Sequence, residues 1–293
     1  MHQTAGETNG WFTEVGVLNS KEVTISMKIN QVIEQRKSEF QNILVFQNDV
    51  FGRCLVLDNA VQCTELDEHS YQEMGAFIPL NIHPNPKRVL IIGGGDGGIA
   101  REVCKHPCVE EIVQCEIDKE VVEVSKKHLP FMAKGFDSPK VNLLFDDGYK
   151  YVLEHKNEFD VIITDSSDPI GPAVTLFQTE YYQALFECLR PGGIICCQGE
   201  SYWFDLKFIK SLYKKVKSIF PSVAYASTAV ASYPSGQIGF LIGCKGTNVN
   251  FEEPLHKFTE KQCEDMDLKY YSAKMHQAAF TLPRFVEKEL NQP

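Results

Sequence analysis

The chain has 293 residues, 43% hydrophobic and 23% charged, which suits one large α/β domain, alone or with a small second one. Its 39 acidic and 29 basic residues leave a net charge of −10, arguing against nucleic-acid or anionic-membrane partners while permitting a cationic ligand. The polar start MHQTAGETNG has no apolar signal core, no run reaches membrane-span length, and the ten cysteines include no C-x-x-C pair, so a reduced, cytoplasmic protein without a metal site is expected.

Residues 1–10 read as a loose tail. Between 11 and 65 the runs EVTISMKI, QNILVFQN, RCLVLDN and AVQCTE are rich in β-branched and aromatic residues. Turn pairs such as Asn48-Asp49 and Asp58-Asn59 punctuate them, so a small antiparallel β unit is expected. The stretch LDEHSYQEMGAFIPL, 66–80, reads as a helix that closes this unit. HPNPK, 83–87, is a breaker and sets the expected boundary: 11–82 for the N-terminal domain, 83–293 for the catalytic one.

After the breaker, apolar runs alternate with amphipathic ones. Val89–Ile92, Ile112–Ile117, Val141–Phe145, Val161–Thr164 and Ile194–Gln198 read as strands; 118–129 reads as a helix with Asp118 as its N-cap. Such alternation predicts a mostly parallel sheet covered by helices. Cys196-Cys197 inside GGIICCQGE fit reduced core thiols, and AYASTAV with GQIGFLIGC fit a late antiparallel hairpin.

The stretch VLIIGGGDGGIA carries G-x-G-x-x-G at Gly93, Gly95 and Gly98, the pattern of a dinucleotide loop. Asp96 inside it is wrong for a pyrophosphate, since like charges repel. Ligands of open parallel sheets bind beyond the carboxyl ends of the strands, and the first four such ends here are acidic: Asp96, Glu116 with Asp118, Asp146 with Asp147, Asp165 with Asp168. Glu116, about 20 residues past the loop, stands where a carboxylate takes ribose hydroxyls. Asp147-Gly148 suits the adenine amino edge. These acids also fit ordinary helix caps. Together they describe an adenosine pocket whose occupant carries a positive tail instead of phosphates. A sulfonium nucleoside fits, and its decarboxylated form avoids a clash between carboxylates at Asp96.

The segments GWFTE (10–14), YQEM (71–74), VLIIGGGDGG (89–98), CEID (115–118), DVIITDSSDPIGPA (160–173), QGES (198–201), YPSGQIGF (233–240) and KYY (269–271) resemble those of spermidine synthases, which are aminopropyltransferases. The similarity runs from about residue 10 to about residue 287. The resemblance implies a Rossmann-like, methyltransferase-type domain carrying a small N-terminal antiparallel β domain, and a homodimer. It implies aminopropyl transfer from decarboxylated S-adenosylmethionine, a co-substrate rather than a prosthetic group, to putrescine, giving spermidine and 5′-methylthioadenosine. Carried over by position, Asp165 is the proton acceptor. Gln41, Gln72, Asp96, Glu116, Asp147 and Gly148 bind the donor; Tyr71, Asp165, Asp168, Tyr233, Glu14 and Trp203 bind the acceptor amine.

Three departures fall on the acceptor side. Asn19-Ser20 stand about where the family has Trp-Pro, Ala231 replaces a proline, and Asp205 occupies a position where histidine is common. A longer or different amine, as in spermine or thermospermine synthases, therefore stays open. So do a putrescine N-methyltransferase using intact S-adenosylmethionine, an NAD-dependent dehydrogenase and a catalytically weakened regulatory paralogue. The Pro/Gly-rich segment 165–178 is a candidate lid.

Overall fold

The structure is a computed structural model that describes residues 6–8, 10–16, 21–169 and 171–291. Three sheets are formed. β1 (Gly6–Thr8), β2 (Trp11–Val15) and β3 (Thr24–Lys28) make one antiparallel sheet; β4 (Gln31–Lys37), β5 (Asn42–Asn48), β6 (Gly52–Leu57) and β7 (Ala60–Thr64) make a second. The antiparallel expectation holds, but as two sheets. Gly6–Thr8, expected in a loose tail, instead pairs with β2. β4 escaped the sequence reading because most of its residues are polar and none is fully buried, so it lacks a clean apolar alternation.

The third sheet has seven strands: β8 (Arg88–Gly93), β9 (Glu111–Glu116), β10 (Val141–Phe145), β11 (Phe159–Asp165), β12 (Leu189–Gln198), β13 (Ser222–Ala229) and β14 (Gln237–Cys244). Their order is β10-β9-β8-β11-β12-β14-β13, parallel from β10 to β12 and antiparallel at β14 and β13. Helices cover it: α1 (Glu68–Ile82), α2 (Gly98–Lys105), α3 (Lys119–His128), α4 (Pro130–Ala133), α5 (Gly148–Glu154), α6 (Thr179–Cys188), α7 (Tyr202–Lys217), α8 (Glu260–Asp265), α9 (Ala273–Ala279) and α10 (Arg284–Leu290). This is the doubly wound arrangement that alternating βαβ units impose.

The five parallel strands match the expected segments within a few residues, except that β12 begins earlier, at Leu189. Val89, Leu90, Ile91, Val161 and Ile162 are all fully buried, as a sheet covered on both faces requires. Helix α1 packs on α2 and on the large sheet, so its apolar surface belongs to that core. Asp118 caps α3 by accepting the Glu120 N–H, as its position predicts. All ten cysteines are free, and Cys196 and Cys197 are buried.

Topology places the site. The chain runs from β8 outward to β9 and β10, then jumps back to β11 on the other side of β8. The carboxyl ends of β8 and β11 therefore flank the switch point, with Gly93 paired to Asp165. Ligands of open α/β sheets bind there. Gly93 sits at φ +81°, and a side chain on it would collide with the Asp165 carbonyl, so the loop needs glycine at this position.

Candidate functional site

Two cavities meet at the switch point. The wider, about 440 Å³, lies under the glycine loop and is lined by Gln41, Gly93, Gly95, Glu116, Asp147 and Gly148, among others. The narrower, about 110 Å³, runs beside it and is lined by Glu14, Gln62, Tyr71, Gln72, Gln198, Glu200, Asp205 and Tyr233. Asp96, Asp165, Ser166, Ser167 and Asp168 line both. The wider cavity has room for a nucleoside, the narrower for a slim unbranched chain.

In the wider cavity, Glu116 ends β9 and is 6% exposed. Its Oε1 accepts the Asp118 N–H at 2.8 Å, and burial pushes its carboxyl up to about 7. Asp118 does not line the cavity; it is 1% exposed and accepts from the Ser38 hydroxyl and from Gln41 Nε2. It is thus a cap that fixes Gln41. Asp147 accepts the Tyr149 and Lys150 N–H groups as the N-cap of α5, and it also faces the cavity. The residue is thus at once a helix cap and part of the cavity wall. A side chain at Gly148 would collide with Ile92, and one at Gly95 would press within 3.0 Å of Glu116 Oε2. Both glycines present bare backbone to the cavity, where a side chain has no room.

Asp96 does two things. Its Oδ1 accepts the Gly98 N–H at 2.6 Å, and both carboxylate oxygens accept from Gln72 Nε2 at 3.2–3.3 Å. Burial raises its pKa, opposed by the Gly98 N–H. Beneath it, Arg101 on α2 holds both oxygens of Glu68 on α1, at 2.9 and 2.7 Å, and bonds Glu102 at 2.6 Å. This bidentate pair locks the start of α1 to the start of α2, and so places Gln72 against the loop. Sequence reading missed it, because neither residue belongs to a motif.

Asp165 ends β11. Its Oδ1 accepts from the Tyr71 hydroxyl at 2.7 Å. Burial pushes its carboxyl up to about 8, helped by the charge of Asp96 and opposed by the Tyr71 hydrogen bond. Tyr71 and Tyr233 stand with ring centres 6.3 Å apart, and the Tyr233 hydroxyl donates to the Gln62 carbonyl. Tyr233 is carried by the β13–β14 turn, which Asp67 anchors by accepting the Ser232 N–H at 2.7 Å. Asp168 is raised by burial to about 6. Glu14 reaches in from β2; its Oε2 accepts the Val61 N–H, and burial pushes it to about 7.

Eleven of the twelve residues anticipated for the site line one cavity or the other. Gln72, expected with the donor group, lines the narrow one and meets the wide one through Asp96. Trp203 is the exception. It is 58% exposed, lines neither cavity, and lies against Tyr202 and Phe285, each with ring centres 5.5 Å away. Ser201 caps α7; Phe204 and Asp205, where the helix kinks, line the cavity, while the first turn leaves Trp203 facing outward. Asn19 and Ser20 lie outside the described residues; Ala231 is exposed. Glu200, Gln198 and Gln237 line the narrow cavity without having been singled out. Their only sequence signal was the quoted QGES and YPSGQ segments. The segment 171–177 forms a 3₁₀ turn that lends Ala173, Thr175 and Leu176 to the wide cavity.

A seven-stranded sheet with an acidic, nucleoside-sized cleft at its switch point defines a Rossmann-like protein of the methyltransferase type. Residues 68–253 match the spermine/spermidine synthase domain, and residues 10–65 match the spermidine synthase tetramerisation domain. Spermidine synthase of Schizosaccharomyces pombe is 48% identical over 94% of this chain and 92% of its own length. That of Dictyostelium discoideum is 49% identical over 97% and 98%. Spermine synthase SPE4 of Saccharomyces cerevisiae is 44% identical over 97% and 96%. A crystal structure of spermidine synthase in complex with the transition-state analogue AdoDATO superposes with a TM-score of 0.89 at 37% identity, covering 99% of this chain and 98% of that one. The chain belongs to the spermine/spermidine synthase family of aminopropyltransferase enzymes. Among the described residues, no helix is long and apolar enough to cross a membrane.

Proposed function

We propose that this chain transfers the aminopropyl group of decarboxylated S-adenosylmethionine to putrescine, releasing spermidine and 5′-methylthioadenosine. The observation that carries this reading is that Asp96 and Asp165 stand where a nucleoside-sized cavity and a slim acidic one meet. In this reading Glu116 takes the ribose hydroxyls, Asp147 and Gly148 border the adenine, Gln41 closes that side, and Asp96 with Gln72 takes the aminopropyl ammonium. A carboxylate-bearing tail would face Asp96 with like charge. The amine lies along Tyr71, Tyr233, Asp168 and Glu14.

The amine must lose a proton before it attacks. Asp165, whose carboxyl titrates near 8, is matched to an ammonium at neutral pH far better than an ordinary aspartate. The Tyr71 hydrogen bond fixes its rotamer and leaves Oδ2 for the substrate. The freed nitrogen attacks the carbon next to sulfur, the C–S bond breaks, and its electron pair neutralises the sulfonium to a thioether; the proton stays on Asp165. Alignment of the two cavities contributes through proximity, about 7–11 kcal/mol in the best cases.

The division of labour we infer is an N-terminal portion, 11–82, whose β unit supplies Glu14 and Gln41 and whose last helix, α1, brings Tyr71 and Gln72 while packing on the large sheet, and a catalytic portion from residue 83. The match to a tetramerisation domain supports a homo-oligomer, and ten free cysteines support the cytoplasm; light scattering separates dimer from tetramer. The activity test offers the purified protein both donor forms and putrescine, with products read by mass spectrometry. Methylthioadenosine with spermidine is expected; S-adenosylhomocysteine with a methylated amine would replace the reading by methyl transfer.

A further inference from the structure

Away from the cleft, one cluster of metal-ligating side chains takes no part in the transfer reaction. His106, Cys108 and His256 each bring a ligand atom within 4.8 Å of the others. His106 is fully buried and caps the C-terminus of α2; Cys108 follows in the connection to β9. His256 comes from the irregular segment between β14 and α8. The cluster lies at the far ends of the two helices whose near ends build the cleft. α1 carries Tyr71 and Gln72 in its first turns and Asn81 in its last; α2 starts at Gly98, in the glycine loop.

The hydrogen bonds around the cluster define which imidazole nitrogens keep a lone pair. His276 Nε2 lies 2.9 Å from the Phe251 carbonyl, so it carries the proton, and Nδ1 accepts from the Tyr271 hydroxyl at 2.9 Å. That hydroxyl in turn accepts from Asn81 Nδ2 at 2.6 Å. Asn81 thus turns Oδ1 to His106 Nε2, 3.2 Å away, which must donate. His106 Nδ1 keeps its lone pair and accepts the Cys108 N–H in a long bond of 3.2 Å. His256 repeats the pattern: Nε2 donates to the His83 carbonyl at 3.0 Å, so Nδ1 keeps the lone pair. A ring that donates through one nitrogen to a carbonyl oxygen is oriented to bind a metal through the other. Both rings have this arrangement, and their centres are 5.1 Å apart. Two imidazoles on one tetrahedral zinc, with Zn–N of about 2.0–2.1 Å, hold their centres about 5 Å apart.

We propose that His106 Nδ1, His256 Nδ1 and the Cys108 thiolate bind a zinc ion, with water as the fourth ligand. Two imidazoles and a thiolate suit zinc, whereas magnesium and calcium seek oxygen. The ligand atoms must draw in from their present spacing to reach zinc. Cys108 and His256 lie on loops and are half-buried, which permits that movement and leaves a face open to water. The ion takes the place of the long Cys108 N–H bond at His106 Nδ1. The Cys108 thiol gives its proton to solvent as the Zn–S bond forms, and nothing is oxidised or reduced. Bound there, zinc ties the segment after β14 to the end of α2, so it acts on stability and leaves the transfer step alone. The expectation of no metal site rested on the missing C-x-x-C pair. These ligands come from segments far apart in the chain, so no local spacing announces them.

The test adds zinc or cobalt to the metal-free full chain under a non-chelating reductant, comparing wild type with Cys108→Ser and His256→Gln. Calorimetry of wild type is expected to show a zinc site that each substitution weakens at least tenfold. Cobalt is expected to give a thiolate-to-metal charge-transfer band with the intense visible bands of a tetrahedral ion; Cys108→Ser should lose the charge-transfer band. Zinc should raise the Tm of wild type more than that of either variant. Melts without metal establish which variants are folded, and if one is not, the other variant and the wild-type cobalt spectrum decide. Absence of the thiolate band in wild type would overturn the site. Zinc affinity unchanged in the folded variants would also overturn it and would assign the metal to the acidic cleft instead.

Discussion

Replacing Asp165 with Asn removes the proton acceptor while keeping the shape, and it acts on activity and stability in opposite directions. Asn can still accept the Tyr71 hydroxyl bond, and its amide resembles the protonated carboxyl. Loss of a positioned general base costs typically 10²–10⁴-fold in rate. The stability effect follows from the raised pKa. In the unfolded chain the carboxyl titrates at 3.8; in the folded one, at about 8. At pH 7.5 the folded protein therefore holds a proton that the unfolded chain has released. At about 1.4 kcal/mol per tenfold in proton affinity, that costs up to about 5 kcal/mol.

Asp96 and Glu116 contribute to this raised value, so part of the cost relaxes elsewhere when Asp165 is neutralised. Half of it, about 2.5 kcal/mol, is a conservative expectation, and it corresponds to a rise in Tm of roughly 4 °C. The sign is checked by pH. A raised acid contributes stability below pH 4 that is lost as pH rises toward 8. The advantage of the Asn variant should therefore be small near pH 4, grow across pH 4–8 and level off above. Thermal melts of the ligand-free proteins across that range, with methylthioadenosine release alongside, provide the measurement. An Asn variant no more stable than wild type at pH 7.5, or one retaining full turnover, would refute the account of Asp165.

Asp96→Ala should raise KM for the decarboxylated donor by about 10–100-fold, the range for one hydrogen bond to a charged group, with a smaller effect on intact S-adenosylmethionine. Equal losses for the two donors in a competition assay would contradict the role given to the loop. Gly148→Val should weaken donor binding by at least tenfold in calorimetry, because its side chain collides with Ile92 and displaces the wall; KM for the amine should change less. Asp67→Ala strands the buried Ser232 N–H, so it should cost about 1–3 kcal/mol in denaturant melts and raise KM for the amine by freeing the turn that carries Tyr233.

Much of the fold was legible because its signals are local. Buried parallel strands read as short continuous apolar runs, and β10 spans Val141–Phe145 as expected. The Asp118 cap and the glycine loop are written in adjacent residues. β4 was not legible, since its polar sequence carries no periodicity, and the Gly6–Thr8 strand exists only through its pairing with β2. Trp203 shows the limit at a single residue: its position two residues past the QGES segment suggests a place in the site, yet the first turn of α7 leaves it on the surface.

The sequence by itself determined the chemistry of the rim, because in a βαβ chain each strand ends in a loop and the residues of those loops are read directly. Only the tertiary structure decided which acids share a space. The switch between β8 and β11 brings Asp96 and Asp165 to one junction. The terminal hairpin, remote in the chain, swings Tyr233 onto Tyr71 and pins Glu200 in its left-handed turn. Those juxtapositions depend on crossovers and on hydrogen bonds between residues tens to more than a hundred positions apart, and no local pattern encodes such distances.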